Sequence, residues 1–463
     1  MSNPTLVAGV DCSTQATKVL VCDAETGDIV RRGRVGHPDA TEVDPAVWYQ
    51  ALLRASRGLL DDVDAIAVAG QQHGMVALDA DRAIVRPALL WNDTRSSRAA
   101  DDLIAEAGGA AYWADAVGSV PVASFTITKL RWLATVEPDA AQRVHSVLLP
   151  HDWLTWRLLG EREGFITDRG DASGTGYFSA AANRYRHDLV TLAFGRELEL
   201  PEVVDPSRVV GRTATGAVVA AGTGDNMAAA LGLGATPGDV VVSLGTSGTV
   251  FAVSHNPTFD DSGRVSGFAD ATGRHLPLVC TLNAARVLTG AANMLGVDLA
   301  ELDRLALSAE PGAGGLVMLP YLDGERVPNL PHATGNLSGM TRTNMTQANL
   351  ARAAVEGMLC GLADGVDAVR DQNVPVERIL LIGGAAQSQA VRHVAAGLFD
   401  VPVEVPDPAE YVALGAARQA AWALSGMPQP PHWAVESSCL PAQPATGVRD
   451  GYAAARQAVW PHA

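Results

Sequence analysis

Residues 6–23, LVAGVDCSTQATKVLVCD, read as a strand, a tight turn and a second strand. Leu6 to Asp11 is an apolar run, Cys12 to Ala16 is small and polar, and Lys18 to Asp23 is apolar again. Small residues after a strand let an anion approach the backbone, because N–H and hydroxyl groups point into the turn. Asp11, at the strand end, is placed to hold Mg²⁺ through water, since that ion keeps several waters and binds few carboxylates. The plainer reading is that Asp11 only closes a hairpin, and these residues alone leave both readings open.

Working outward, Asp44-Pro45 opens a helix with a good N-cap and proline at the first position, running to about Leu60. Ala65 to Ala69 reads as a short buried strand ending in Gly70-Gln71-Gln72-His73-Gly74. Strands and helices alternate through Val144 to Leu149 and a helix closed by Gly160. Near residue 217 the plan begins again. A strand over 217–221 leads into Gly222-Thr223-Gly224-Asp225-Asn226 and a helix over 227–231. A second hairpin, Asp239 to Leu244 and Thr249 to Val253, carries Gly245-Thr246-Ser247-Gly248 at its tip. Two such turns, one per half, could clamp a polyphosphate from both sides. Further on, Thr346 caps a long helix to about Arg370. The strand Arg378 to Ile382 then breaks into Gly383-Gly384-Ala385-Ala386, and a helix starts near Ser388. A glycine pair there suits close passage of a flat ring such as adenine, and is equally an ordinary turn. With 463 residues, two α/β domains are expected, drawn here as 1–230 and 231–463, sharing a deep cleft.

Asp225 falls where a strand becomes a helix. A carboxylate at that point could accept the proton of a hydroxyl attacking a phosphoryl group. An aspartate at a helix start is also a common N-cap. His73, taken alone, reads more simply as a structural histidine.

Composition removes several alternatives. The formal net charge of −17 argues against a nucleic-acid partner. Lys18 and Lys129 are the only lysines and precede Val19 and Leu130, so neither a Walker A loop nor a protein-kinase Val-Ala-Ile-Lys strand exists. Gly232-Leu233-Gly234 follows a helix and precedes a strand, the wrong order for a dinucleotide turn. No His-Glu-x-x-His or Gly-x-Ser-x-Gly occurs, which weakens metallohydrolase and esterase readings. Five cysteines without a Cys-x-x-Cys, and no basic and apolar leader or long uncharged apolar stretch, suggest a reducing cytoplasm and no membrane contact.

Gly335-Asn336-Leu337-Ser338-Gly339-Met340, Asn349-Leu350 eight residues later, and Ala353-Ala354-Val355-Glu356 together resemble the C-terminal signature of the FGGY carbohydrate kinases. Ser124, Thr126, Lys129, Leu130 and Trp132 resemble the N-terminal signature less fully. The resemblance spans essentially the whole chain and implies two ribonuclease-H-like domains of the actin and hexokinase type with a catalytic cleft between them. Gly70-Gln71-Gln72-His73-Gly74 and Leu90-Trp91-Asn92-Asp93-Thr94-Arg95 are most similar to the branch acting on D-xylulose. The resemblance thus implies ATP-dependent phosphorylation of that sugar, with Asp225 as general base and Asp11 organising Mg²⁺ and the γ-phosphate. Gln72, His73, Trp91, Asp225 and Asn226 would contact sugar. Ser13, Thr14, Gln15, Gly245, Thr246, Ser247, Gly383, Gly384 and Ala385 would hold ATP. Two departures stand out: Ser13 replaces a usual glycine, and Gln72 a usual methionine. The second keeps another ketose or polyol open as substrate, and a non-catalytic sensor and a homodimeric assembly also stay open.

Overall fold

The computed structural model describes residues 4–162, 164–441 and 447–461. Its contacts divide the chain into two units. The first comprises Met1–Ala235, His255–Leu276 and Ala409–Val435, and the second Thr236–Ser254, Pro277–Pro408 and Glu436–Ala463. The sequence suggests one boundary near residue 230, whereas the backbone returns to the first unit twice after it. The returning helix is Tyr411–Ser425. The last helix, Val448–Val459, packs on Gln347–Asp371 and Val317–Leu319 of the second unit.

In the first unit, strands lie in the order Val209–Arg212, Val218–Ala220, Ala65–Gly70, Leu6–Cys12, Ala16–Asp23, Ile29–Gly36. Leu6–Cys12 pairs antiparallel with Ala16–Asp23 and parallel with Ala65–Gly70. All seven residues of Leu6–Cys12 are buried, which is why the strand reads as a continuous apolar run rather than an alternating one. One face of the sheet packs on Trp48, Leu52 and Trp153. The other packs on Ala413, Ala416, Ala417 and Ala420, whose short side chains bring the Tyr411–Ser425 helix close. At the edge, Ile29–Gly36 carries Arg31, Arg32 and Arg34, charges that discourage pairing with another chain.

Asp44 caps the first helix by accepting from the Ala46 N–H at 2.8 Å. That helix is Pro45–Ala55, shorter than its apolar pattern suggests. It closes when the Ser56 N–H bonds to Leu52 O and the chain turns through Gly58 at φ +70°.

The second unit repeats the central arrangement. Its strands run His275–Thr281, Gly248–Ala252, Gly238–Leu244, Val376–Ile382, Val403–Pro406, Ser437–Cys439. Gly238–Leu244 pairs antiparallel with Gly248–Ala252 and parallel with Val376–Ile382. The 25-residue helix Gln347–Asp371 starts at Thr346, whose side chain accepts from the Asn349 N–H at 3.1 Å. In both units, therefore, a hairpin turn lies beside the end of a parallel strand.

Candidate active site

Asp11 closes the Leu6–Cys12 strand with a carboxylate only 1% exposed. The Ser13 hydroxyl donates to its Oδ1, and the Lys18 ammonium stands 3.2 Å from its Oδ2. Burial pushes the Asp11 pKa above its ordinary value, although Lys18 and then Ser13 pull it down. Lys18 also pairs with Glu410 at 2.6 Å. Burial works against its charge, but the two carboxylates hold its pKa above the usual lysine value. Cys12 points into the core, where burial raises its thiol to about 12. The groups the turn presents are thus oxygens, from Asp11, Ser13 and Thr14, and that donor set fits Mg²⁺ rather than a soft metal. The Trp91 indole N–H donates to Thr14 Oγ1 at 2.7 Å, and Gln15 O accepts from the His37 N–H at 2.8 Å.

The neighbouring parallel strand, Ala65–Gly70, delivers Gln72 and His73. His73 has φ +68°, unusual for a residue with a side chain and a sign that its surroundings hold it. Those surroundings are specific. Its Nδ1 lies 2.6 Å from Gly174 O, and its ring packs on Phe125 and Phe268 at 5.0 and 5.6 Å. The Thr126 hydroxyl donates to its carbonyl at 3.1 Å. Gln72 Oε1 accepts from Asn226 Nδ2 at 3.1 Å, while the buried Gln72 Nε2 has no hydrogen-bond partner among the described residues.

Asn226 links this segment to Asp225, donating to its Oδ1 from the backbone N–H at 2.9 Å and from Nδ2 at 3.1 Å. Asp225 is the first residue of the helix Asp225–Leu233. Gly224 takes the N-cap position, and the Asp225 carboxylate still accepts the Asn226 N–H of the first turn. Burial first, then the like charges of Asp11 and Asp171, push Asp225 up to about 7. A carboxyl tuned there has the basicity of a general base working near neutral pH.

In the second unit, Gly245, Thr246 and Ser247 form the tip between paired strands. Their carbonyls are partly committed: Gly245 O accepts from the Ala285 N–H at 2.9 Å and Thr246 O from Arg286 Nε at 3.3 Å. Gly383-Gly384-Ala385 lies at the same sheet end, since Ser243 is in register with Ile382. Gly383 has φ +96°, and a Cβ there would stand 2.6 Å from Leu244 O, so only glycine fits. Gly383 and Gly384 are exposed, and Gly384 begins a single 3₁₀ turn, Gly384–Gln387.

The structure thus joins Gln72, Asn226 and Asp225 by hydrogen bonds, and Trp91 to Thr14. The groups at 245–247 and 383–385 lie together in the other unit. Sequence reasoning missed Glu410, at the N-cap of the Tyr411–Ser425 helix near the far end of the chain, which reaches Asp11 through Lys18. It also missed four buried groups, His151, Asp152, Asp168 and Asp171. Asp168 and Asp171 look like routine helix-start acids in sequence, and only the fold reveals that both are fully buried. The two signatures prove to be supports. Thr126 and the adjacent Phe125 brace His73, and Lys129 is buried with its ammonium on the carbonyls of Ala123 and Ser124. In the C-terminal signature, Asn349 Nδ2 donates to Asn344 O at 2.9 Å, and Glu356 binds the Gly312 N–H at 3.0 Å.

Residues 6–235 match the N-terminal domain, and residues 240–424 the C-terminal domain, of the FGGY family of carbohydrate kinases. A xylulose kinase of Streptomyces coelicolor is 47% identical over 437 residues, covering 91% of this chain and 88% of that protein. The Escherichia coli xylulose kinase is 34% identical over 438 residues, 89% of each. The crystal structure of xylulose kinase from Bifidobacterium adolescentis superposes with a TM-score of 0.91 at 45% identity, covering 98% of this chain and 99% of that one. The chain belongs to the FGGY family of carbohydrate kinases. It is an enzyme with that family's two-domain, actin- and hexokinase-like α/β fold, and the family's chemistry makes ATP its co-substrate.

Proposed function

We propose that this kinase transfers the γ-phosphoryl group of ATP to the terminal hydroxyl of D-xylulose, giving D-xylulose 5-phosphate, with Asp225 as general base. The observation that carries the assignment is the Asp225 carboxyl, raised to about 7 and tied through Asn226 to Gln72 in the sugar segment. The relatives named above, xylulose kinases by name, supply the sugar. Oxygen 5 of the sugar attacks the γ-phosphorus as its proton passes to Asp225. The bond from phosphorus to the β,γ-bridging oxygen breaks, and ADP leaves with the electron pair. Gln72, His73, Trp91 and Asn226 orient the sugar. Ser13, Thr14 and Gln15, with Gly245, Thr246 and Ser247, bind phosphate oxygens, and Gly383, Gly384 and Ala385 carry the adenosine end. Asp11 would hold Mg²⁺, which when bound neutralises charge on the phosphates. The five cysteines are free and four are at least partly buried, which suits a reducing cytoplasm. Among the described residues no helix is long and apolar enough to cross a membrane.

A second reading, another ketose or polyol as substrate, draws on the unpartnered Gln72 Nε2, a donor that would read one more hydroxyl. The test is coupled ADP release with Mg-ATP against D-xylulose, D- and L-ribulose, xylitol, glycerol and gluconate. The assignment predicts the highest kcat/KM for D-xylulose by a wide margin. Preference for another sugar would move it to the second reading, and silence across the panel would contradict both.

A further inference from the structure

The turn that leads into Asp225 is lined by buried ionisable groups that the chemistry above does not use. His151 is the second residue of the helix Pro150–Leu158 and has no exposure. Its Nδ1 lies 2.6 Å from Asp171 Oδ2 and 3.3 Å from Asp152 Oδ1. Asp168 caps the short helix Arg169–Ser173, accepting from the N–H groups of Gly170 and Asp171 at 2.8 Å each. It also accepts from the Thr223 hydroxyl at 2.8 Å. Tyr177 and Tyr185 face the same cluster, and burial, more than the nearby charges, keeps their phenols neutral.

Each residue of the turn meets one of these groups. A Cβ on Gly222 would stand 2.7 Å from His151 Cδ2. Thr223 is tied to Asp168. A Cβ on Gly224 would stand 3.2 Å from Asp171 Oδ1, an oxygen with no hydrogen-bond partner among the described residues. The next residue is Asp225. On its other side the turn is fixed to the sheet, with Thr223 in register with Ala69 and Gly224 with Gly70.

We propose that His151, Asp168 and Asp171 are positioning residues for the phosphoryl transfer: they form a buried frame that fixes the 222–224 turn and so aims the Asp225 carboxylate. The proposal rests on Asp225 being the base. His151, Asp152 and Asp171 also offer three donors within 4.8 Å, as a cation site would. The 2.6 Å separation of His151 Nδ1 and Asp171 Oδ2 is that of a direct hydrogen bond, and it is as a hydrogen-bonded pair that they join the frame. The histidine supplies the positive charge itself: burial opposes its protonation, but Asp152 and Asp171 outweigh this and raise it to about 9. An uncharged frame would leave several buried carboxylates without compensation. Asp171 has a second effect, because it and Asp11 are the charged groups that raise Asp225 after burial itself. A base misplaced by about 1 Å loses on the order of 10²-fold in rate, so a frame of this kind is worth holding rigid.

The experiment compares Asp171→Asn, Thr223→Val and Thr223→Ser with the parent enzyme. It measures kcat, KM for ATP, thermal midpoint and the pH profile of kcat/KM for D-xylulose. Asp171→Asn should lower kcat at least about tenfold with KM for ATP within about twofold, as loss of a transition-state alignment requires. Its acid limb should move to lower pH, because a negative charge facing Asp225 is gone, a shift that a purely structural role would not produce. Thr223→Val should lower kcat several-fold and Thr223→Ser should restore it. A folded Asp171→Asn with parental kcat and an unmoved acid limb would overturn the frame. Should that variant fail to fold, parental kcat in Thr223→Val would overturn it equally. Asp225→Asn separates the two ideas. If that variant is active, the base assignment fails; if it is inactive while the frame variants turn over normally, only the frame fails.

Discussion

The two units place the same device, a hairpin turn beside the end of a parallel strand, at the centre of their sheets, and fill it with opposite chemistry. In the first unit the turn carries Asp11 with Lys18 and Glu410 around it, and the strand end carries Gln72 and His73. In the second the turn is Gly245-Thr246-Ser247 and the strand end Gly383-Gly384-Ala385, none of them ionisable. On the proposed assignment one fold serves two tasks: charged and amide groups would read the sugar and manage its proton, while small residues would let a nucleotide lie against backbone. The difference also appears beneath the surface. Buried charges underlie the Asp225 turn, whereas Gly383 is required by its φ of +96° and the nearness of the Leu244 backbone.

The contrast can be broken by substitution, and the largest effect belongs to the base. Asp225→Asn should lose at least ~10²-fold in kcat, the lower end of general-base catalysis, with nucleotide affinity unchanged by equilibrium binding. Gly383→Val comes next. It forces a side chain into the Leu244 backbone at φ +96°, so KM for ATP should rise about tenfold or more while affinity for sugar is kept. Trp91→Phe removes one hydrogen bond to Thr14, a loss of about 1 kcal/mol, and steady-state kinetics should show roughly a fivefold fall in kcat/KM. The smallest change is expected from Gln72→Met. It removes a donor and the Asn226 contact, and discrimination between D-xylulose and its analogues should relax by a few-fold on the same sugar panel. Were Asp225→Asn to weaken nucleotide binding, or Gly383→Val sugar binding, the division between the units would fail.

Much of this arrangement was legible in the sequence. Both hairpins, the Thr346 cap and the glycine pair after residue 382 follow from apolar runs, turn chemistry and capping, which act over a few residues. Asp11 and Asp225 were legible because a carboxylate at the end of a buried strand is conspicuous. The surroundings of Asp225 were not, since a helix-start aspartate looks the same in sequence wherever it points, and only the fold shows its link through Asn226 to Gln72. Equally hidden were Glu410 and the His151–Asp171 pair, separated from the residues they support by hundreds or tens of positions. Residues of both family signatures act as braces, Thr126 under His73 and Glu356 on the Gly312 N–H.

The most direct test is the pH dependence of kcat/KM for D-xylulose at saturating Mg-ATP, which reports the base in the sugar-free enzyme. With Asp225 raised to about 7 by burial and by its neighbours Asp11 and Asp171, the rate should fall as pH drops through that value, because protonation removes the acceptor. A profile level from pH 8 down to pH 5, about where an ordinary carboxyl would still be ionised, would contradict the assignment of Asp225 as the residue that takes the sugar's proton.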